Sequence, residues 1–331
     1  MSQPDFSFAG ARVLVTGGLG FIGSNLARRL VDLGAVVTLV DALRPDQGGL
    51  RHNIQGIAHR LNFEAGDLRD AALLERVLPG QEVVFNLAGQ TSHLDSMTDP
   101  VTDLELNCRV QLDLLEGLRR RAPGAKVVFA STRQIYGAPD YLPVDEAHPL
   151  RPVDVNGIHK LAGESYHLLY GRVYGLKATA LRLTNTYGPR MRIKDARQTF
   201  LGVWIRAALE GRPFEVWGGH QLRDYSYVDD AVEALLAAAV TPELEGGAFN
   251  LSGLPPQTSL LETAQMLARM TGGSFEVKAF PPERRRIDIG DYYADDTAFR
   301  RRTGWSPKVD IEEGLERTLA YFREHLSEYV P

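Results

Sequence analysis

The sequence predicts an α/β protein with a doubly wound parallel sheet and a smaller mixed α/β C-terminal lobe. Three observations predict it. Strand-like and helix-like segments alternate through the first half of the 331 residues, a glycine-rich turn follows the first strand, and prolines and glycines divide the second half into shorter pieces.

The runs at 12–16, 36–40, 61–64, 83–87 and 127–131 are short, apolar or β-branched, and bounded by Gly, Asp, Pro or Ser, as buried parallel strands are. Between them, 22–33, 71–78 and 100–121 carry a helical period, and right-handed crossovers wind such units onto both faces of one sheet. A further helix from about 158 to 174 leads into a sixth strand at 178–183. After Asn185 the chain is interrupted by Pro189, Pro213, Gly218, Gly219, Pro255, Pro256, Pro281 and Pro282. The stretches 225–240 and 248–251 are regular enough to return to the first lobe. The expected division is a nucleotide-binding domain at 1–184 with returning segments at about 224–251, and a substrate lobe formed mainly by 185–331.

Composition narrows the function. A formal net charge of -5 offers no basic field for a nucleic-acid backbone. The single cysteine, Cys108, lies in a helical pattern and is expected in the core; alone it makes neither a disulfide nor a multi-cysteine metal site, and no metal is expected. The first ten residues include Asp5 and no basic cluster leading into an apolar stretch, and apolar runs such as 234–240 fall far short of a bilayer span. A cytoplasmic protein without membrane contact is expected.

The strongest local signal is Gly17-Gly18-Leu19-Gly20-Phe21-Ile22-Gly23, placed where the first strand meets the first helix. Gly17 permits the tight turn, Gly20 lets backbone N–H groups approach a pyrophosphate, and Gly23 lets helix and strand pack closely, at a helix end that carries partial positive charge. Asp41 ends the second strand about twenty residues on, where a carboxylate accepts hydrogen bonds from an adenosine ribose and repels a 2′-phosphate. The combination is of Rossmann type and favours NAD over NADP, although Arg44 lies close enough in sequence to accommodate a 2′-phosphate.

The Gly17-x-x-Gly20-x-x-Gly23 spacing resembles that of the extended short-chain dehydrogenase/reductase family, and other segments agree. Ala65-Gly66-Asp67-Leu68 resembles the family's adenine-binding turn. Asn86-Leu87-Ala88-Gly89-Gln90 resembles its loop beside the cofactor, and Ala130-Ser131-Thr132-x-x-Ile135-Tyr136-Gly137 the strand end that carries the active-site Ser or Thr. Leu181 to Arg190, Arg223-Asp224-Tyr225 with Val228-Asp229-Asp230, and Gly304-Trp305-x-Pro307 are similar to the nucleotide-sugar epimerases, dehydratases and decarboxylases. The resemblance covers almost the whole chain. It implies NAD as cofactor, a nucleoside-diphosphate sugar as substrate, and hydride removal from a sugar carbon, usually C4. It further implies that Thr132 bonds the reacting hydroxyl and that Lys160 holds the nicotinamide ribose. Asn185, Arg223 and arginines of the run Arg284-Arg285-Arg286, with Arg285 and Arg286 preferred, would grip the sugar or its diphosphate, as guanidinium forks do.

Two departures stand out. The family places a tyrosine four residues before the lysine, one helical turn away, and here that residue is Asn156. An amide has no proton equilibrium to offer; it would cap the helix, with a compatible orienting role in the site. The remaining proton acceptors are His93, Tyr136, Tyr187, His159 and Lys160 itself. His93 follows the fourth strand on the cofactor's edge of the sheet, and imidazole as a group suits proton transfer, so it is the preferred catalytic candidate, with a purely structural histidine as the bland alternative. Second, similar 4,6-dehydratases place Asp-Glu after the threonine, where this chain has Arg133-Gln134, which disfavours dehydration and decarboxylation. Arg133 is left to pair with a substrate carboxylate, as in a uronic-acid nucleotide, or with Asp145 or Glu146.

The expected activity is therefore an NAD-dependent nucleotide-sugar epimerase with a non-standard acid/base. The alternatives are a dehydratase, decarboxylase or reductase of the same family, or a catalytically silent protein that binds NAD and a nucleotide sugar. The helices 100–121 and 158–174 carry apolar residues on more than one face, including Leu112, Leu115, Leu168 and Leu169, and relatives commonly pair these helices, so a homodimer is expected.

Overall fold

The computed structural model describes residues 7–44, 47–197, 199–281 and 288–330. Strands β1 (Arg12–Thr16), β2 (Val36–Asp41), β3 (Asn62–Ala65), β4 (Val83–Asn86), β5 (Lys126–Thr132) and β6 (Lys177–Leu183) form a parallel sheet. Its seventh strand comes from far along the chain. After β7 (Asn185–Tyr187), β8 (Phe214–Trp217), β9 (Leu222–Arg223) and β10 (Tyr225–Tyr227), strand β11 (Ala248–Asn250) returns to pair with β6, giving the order β11-β6-β5-β4-β1-β2-β3. The order reverses at β1, flanked by β2 and β4, so a crevice opens there at the carboxyl ends of the strands.

Helices α1 (Phe21–Asp32) and α2 (Ala71–Val77) follow β1 and β3; α3 (His93–Thr98), α4 (Pro100–Leu104) and α5 (Val110–Arg121) lie between β4 and β5; α6 (Val155–Tyr174) precedes β6. Successive strand residues face opposite ways. Val13 and Val15 of β1 join Leu26 and Leu30 of α1 in one core, while Leu14 between them joins Leu73 of α2 and Leu114 and Leu118 of α5 in another. Both faces of the sheet are thus covered, and continuous apolar strands are the consequence.

The later elements α7 (Phe200–Leu209), α8 (Val228–Val240), β12 (Thr258–Ser259), α9 (Leu260–Thr271), β13 (Phe275–Lys278), α10 (Thr297–Thr303) and α11 (Ile311–Tyr329) are built around short strand pairs, β7 with β10, β9 with β12 and β8 with β13. The Val228-Asp229-Asp230 and Gly304-Trp305-x-Pro307 segments meet here. Buried Trp305 donates through Nε1 to the Asp230 carbonyl (3.1 Å), and the Val309 amide donates to Asp230 Oδ2 (3.0 Å). Their part is to lock the C-terminal segment to α8.

Two element boundaries differ from expectation. The predicted helix 100–121 contains a π turn at Glu105–Arg109, which turns Asn107 toward the loop after β4; such turns are common at functional sites. Helix α6 begins at Val155, because Asp154 Oδ1 accepts the Gly157 amide (2.7 Å) and caps it. Asn156 is therefore not the cap but sits inside the first turn. Cys108 is buried, as read from its pattern.

His167 of α6 stacks on Phe129 of β5 and is fully buried. Its Nδ1 donates to the Gly163 carbonyl (2.7 Å) and its Nε2 accepts from Asn86 Nδ2 (3.1 Å), which fixes a neutral tautomer. Burial pushes its pKa down to about 4. The unfolded chain binds a proton there below about 6.5 and the folded chain only below about 4, so stability falls with pH across that window by up to roughly 3 kcal/mol. Denaturant midpoints between pH 7 and 4.5 should fall less steeply for His167→Gln than for the wild type; equal slopes would contradict this.

Candidate active site

The crevice is lined on one side by the turn after β1. Gly17 has φ +67°, and a Cβ there would lie 3.0 Å from the Leu87 carbonyl oxygen; a Cβ on Gly23 would lie 2.2 Å from the Gly17 oxygen. Only glycine permits that approach between β1, α1 and the loop after β4. Thr16 ties the same loop down: its hydroxyl donates to Asn86 Oδ1 (2.9 Å) and accepts the Leu87 and Ala88 amides (3.2 Å each). No side chain caps α1, so the amides of its first turn, around Phe21 and Ile22, are left for an anion.

Asp41 lines the crevice with Oδ2 accepting the Leu19 amide (3.0 Å) and Oδ1 the Leu43 amide (2.8 Å), while burial pushes its pKa up. Arg44 is occupied: its Nη2 lies 2.8 Å from Asp67 Oδ2, and Arg69 grips the same carboxylate, which holds Asp67 well below the usual carboxylate range. Leu68, Leu87 and Ala88 line the crevice as expected, but Gln90 does not. Gln90 is turned into the protein, its Oε1 accepting the Ser92 amide (2.6 Å) and its backbone bonded to Asn107. A glycine cradle, open helix amides and an acceptor at the end of β2 fit a dinucleotide with a free adenosine 2′-hydroxyl.

One cleft of about 310 Å³ joins this half to Thr132, Arg133, Asn156, Lys160, His93 and Asn185. Thr132 ends β5, and its hydroxyl accepts the Gln134 amide (3.3 Å). Lys160 is buried; its Nζ donates to the Ala130 carbonyl (3.4 Å), and burial pushes its pKa down to about 8 against the pull of Asp103. Asn156 Nδ2 donates to the Gln90 carbonyl (2.9 Å) and to Asp103 Oδ2 (3.1 Å). Asp103 is buried and also receives Asn107 Nδ2 on Oδ2 (3.1 Å) and His159 Nδ1 on Oδ1 (2.7 Å). His159 is thereby committed to Asp103.

His93 opens α3 at the cleft wall. Its Nδ1 lies 2.8 Å from Asp154 Oδ2, at ion-pair distance though off hydrogen-bond alignment, and Gln134 Nε2 lies 3.2 Å from its Nε2. Burial pushes the Asp154 carboxyl up, but the neighbouring His93 and the Gly157 amide outweigh it and hold it low. The two tyrosine candidates are removed. Tyr136 is fully buried with its hydroxyl between Asn250 and Arg182, and Tyr187 is buried against α11.

Arg133 Nη2 donates to Asn185 Oδ1 (3.0 Å), and its guanidinium stands 5.0 Å above the Tyr292 ring. Arg223 does not line the cleft: it donates to the Gly290 carbonyl and lies 3.5 Å from Asp288. Arg284, Arg285 and Arg286 lie outside the described residues. Asp103, Asn107 and Asp154 had no role in the sequence reading. For Asp103 the available signal was a carboxylate in an otherwise packed helical face; for Asp154, an aspartate immediately before a helix.

The profile of the NAD dependent epimerase/dehydratase family matches residues 13–252. The chain is 32% identical over 316 residues to a putative UDP-glucose 4-epimerase of Methanocaldococcus jannaschii, covering 95% of this chain and 99% of that one. The structure of UDP-glucose 4-epimerase from Thermotoga maritima with UDP-glucose superposes with TM-score 0.86 at 34% identity, covering 95% and 99% of the two chains. That of the Thermus thermophilus UDP-glucose 4-epimerase complex with NAD gives 0.83 at 33% identity, covering 94% and 99%. NAD is the cofactor of the family and of this chain. Asp41→Asn, which keeps an acceptor and removes the charge, should lower the ratio of NAD to NADP affinity by about tenfold in calorimetric titrations; an unchanged ratio would remove Asp41 from cofactor selection.

Proposed function

The chain belongs to the NAD dependent epimerase/dehydratase family, and we propose that within it this enzyme is a nucleotide-sugar epimerase acting at the sugar C4, with His93 in place of a tyrosine as acid and base. The observation that carries this is the His93–Asp154 pair at the cleft wall, joined to the first turn of the helix in which Asn156 stands where the family has its tyrosine. A nucleoside-diphosphate sugar as substrate is supported by the similar UDP-glucose 4-epimerases, one of them seen with UDP-glucose.

NAD, which the Gly17–Gly23 turn and Asp41 would hold, would supply the hydride acceptor and donor for C4. Thr132 bonds the reacting hydroxyl, and His93 takes its proton as the C4 ketone forms. Asp154 stabilises the imidazolium, as a carboxylate beside a catalytic histidine does. Buried Lys160 presents positive charge to the cofactor side of the cleft. After the ketone turns its other face, the same proton and hydride return and invert C4. Arg133 and Gln134 offer no carboxylate for eliminating water, which argues against the 4,6-dehydratase reading.

His93→Ala should lower kcat by about 10² to 10⁴ with bound NAD retained. Asp154→Asn, which can still cap α6, should lower it by about tenfold. Asn156→Tyr would deprive Asp103 and the Gln90 carbonyl of a donor and should not exceed the wild-type rate; a faster variant would dismiss His93. The assays are product analysis by NMR and transient absorbance of the reduced cofactor over a panel of sugar nucleotides. Tight binding with neither signal would overturn the epimerase in favour of a silent binding protein.

A homodimer is part of the same proposal. Met97, Val101, Leu104 and Ile158 are exposed apolar residues on α3, α4 and α6, which pack together. Sedimentation should give twice the 36.6 kDa of the chain, and Val101→Glu with Ile158→Glu should give the monomer; a monomeric wild type would refute it.

A further inference from the structure

Arg133 is the feature of the cleft that C4 epimerisation leaves unexplained. It directly follows Thr132, at the end of β5, and its side chain lines the cavity. Arg133 is half-buried, and a guanidinium partly withdrawn from water favours an anion or a full set of acceptors. Arg133 has Asn185 Oδ1 at 3.0 Å, Gln134 Oε1 at 3.5 Å and the Tyr292 ring on one face, and among the described residues no carboxylate within ion-pair distance.

Among the described residues, the carboxylates of the neighbouring segments are bound elsewhere. Glu146 Oε1 accepts the Asn250 amide, and Asp145 Oδ1 accepts the Tyr141 hydroxyl and the Ala147 amide. Asp288 faces Arg223 at 3.5 Å, and Asp224 accepts the Gly253 and Ala294 amides. Arg223, outside the cleft, is near enough to add a second positive charge that acts on Arg133. Burial first, and then that neighbouring guanidinium, push the Arg133 pKa down to about 10, outweighing the opposite pull of Tyr292, Asp224 and Asp288. The result is a planar fork of N–H donors held by a ring on one face and by Asn185 at one corner, with an edge left for a planar anion.

We propose that the sugar of the substrate carries a carboxylate and that Arg133 binds it, so that the cleft accepts a nucleotide-activated uronic acid in preference to the neutral sugar. The anion is assigned to the sugar because Arg133 adjoins the residue that meets the reacting hydroxyl. The inference rests on the nucleotide-sugar reading of the cleft, and it holds for that site whether or not His93 is the base.

The test is equilibrium binding to the NAD-loaded enzyme of two matched pairs, UDP-glucuronate with UDP-glucose and GDP-mannuronate with GDP-mannose, beside UDP and GDP alone. The acidic member of at least one pair should bind about tenfold or more tightly than its neutral partner. Arg133→Gln should abolish that preference while leaving UDP and GDP affinity as in the wild type, and Arg133→Lys, which keeps the charge without the fork, should retain part of it. Equal or weaker binding of both acidic members to the wild type would overturn the inference, whatever the variants do. An equal loss for UDP, neutral sugar and uronate in Arg133→Gln would place the arginine on the diphosphate and also overturn it. An Arg133-dependent preference without any epimer formed would uphold this inference and sink the epimerase, whereas epimerisation of neutral sugars without preference would do the reverse.

Discussion

The side of the cleft formed by Asn156 and Lys160 depends on the hold that Asp103 has on the first turn of α6. A buried carboxylate is tolerable only with donors around it. Asp103 has three, from Asn107 in the π turn and from Asn156 and His159 in α6. Asn156 uses the same amide group to reach the Gln90 carbonyl, so the loop after β4, the α4–α5 helix and α6 are joined at one point. Lys160 sits one turn further along α6, and His93 meets Asp154 just before it. Asn156 and Lys160 thus lie on a helix whose first turn this junction fixes.

Asn156 is therefore bound into its surroundings through its amide. A phenol in its place would leave Asp103 with one donor fewer and the Gln90 carbonyl without that partner, so the amide belongs to the framework around it. Asp154 shows the same economy of parts: one oxygen caps α6 and the other faces His93. The cofactor half shows no such rearrangement. Its glycines permit close backbone approach, and Thr16 and Asp41 tie the loops after β4 and β1 in place.

Much of this was legible in the chain. The alternating strands, the glycine turn and Asp41 are local signals, each readable from a few neighbouring residues, and the crevice follows from the strand order they imply. Thr132, Lys160, Asn156, His93, Arg133 and Asn185 do share one cleft. Gln90 and Arg223 were misplaced because their sequence neighbourhoods do not record which way the side chain turns: Gln90 satisfies the Ser92 amide inside the protein, and Arg223 the Gly290 carbonyl behind the cleft. The cap was assigned to Asn156 because asparagine is a good capping residue, yet Asp154 reaches the Gly157 amide and takes that position.

The sequence by itself determined the fold and the cofactor, because periodicity and a glycine-only turn are properties of short segments. Only the tertiary structure decided what stands around Asn156. The Asp103 cluster unites residues from 103 to 159, His93 meets Asp154, and among the described residues Arg133 is left without a carboxylate because Glu146 and Asp288 are bonded elsewhere. Those outcomes depend on packing between segments far apart in the chain, and whether a buried charge finds a partner is settled only when every competitor for that partner has been placed.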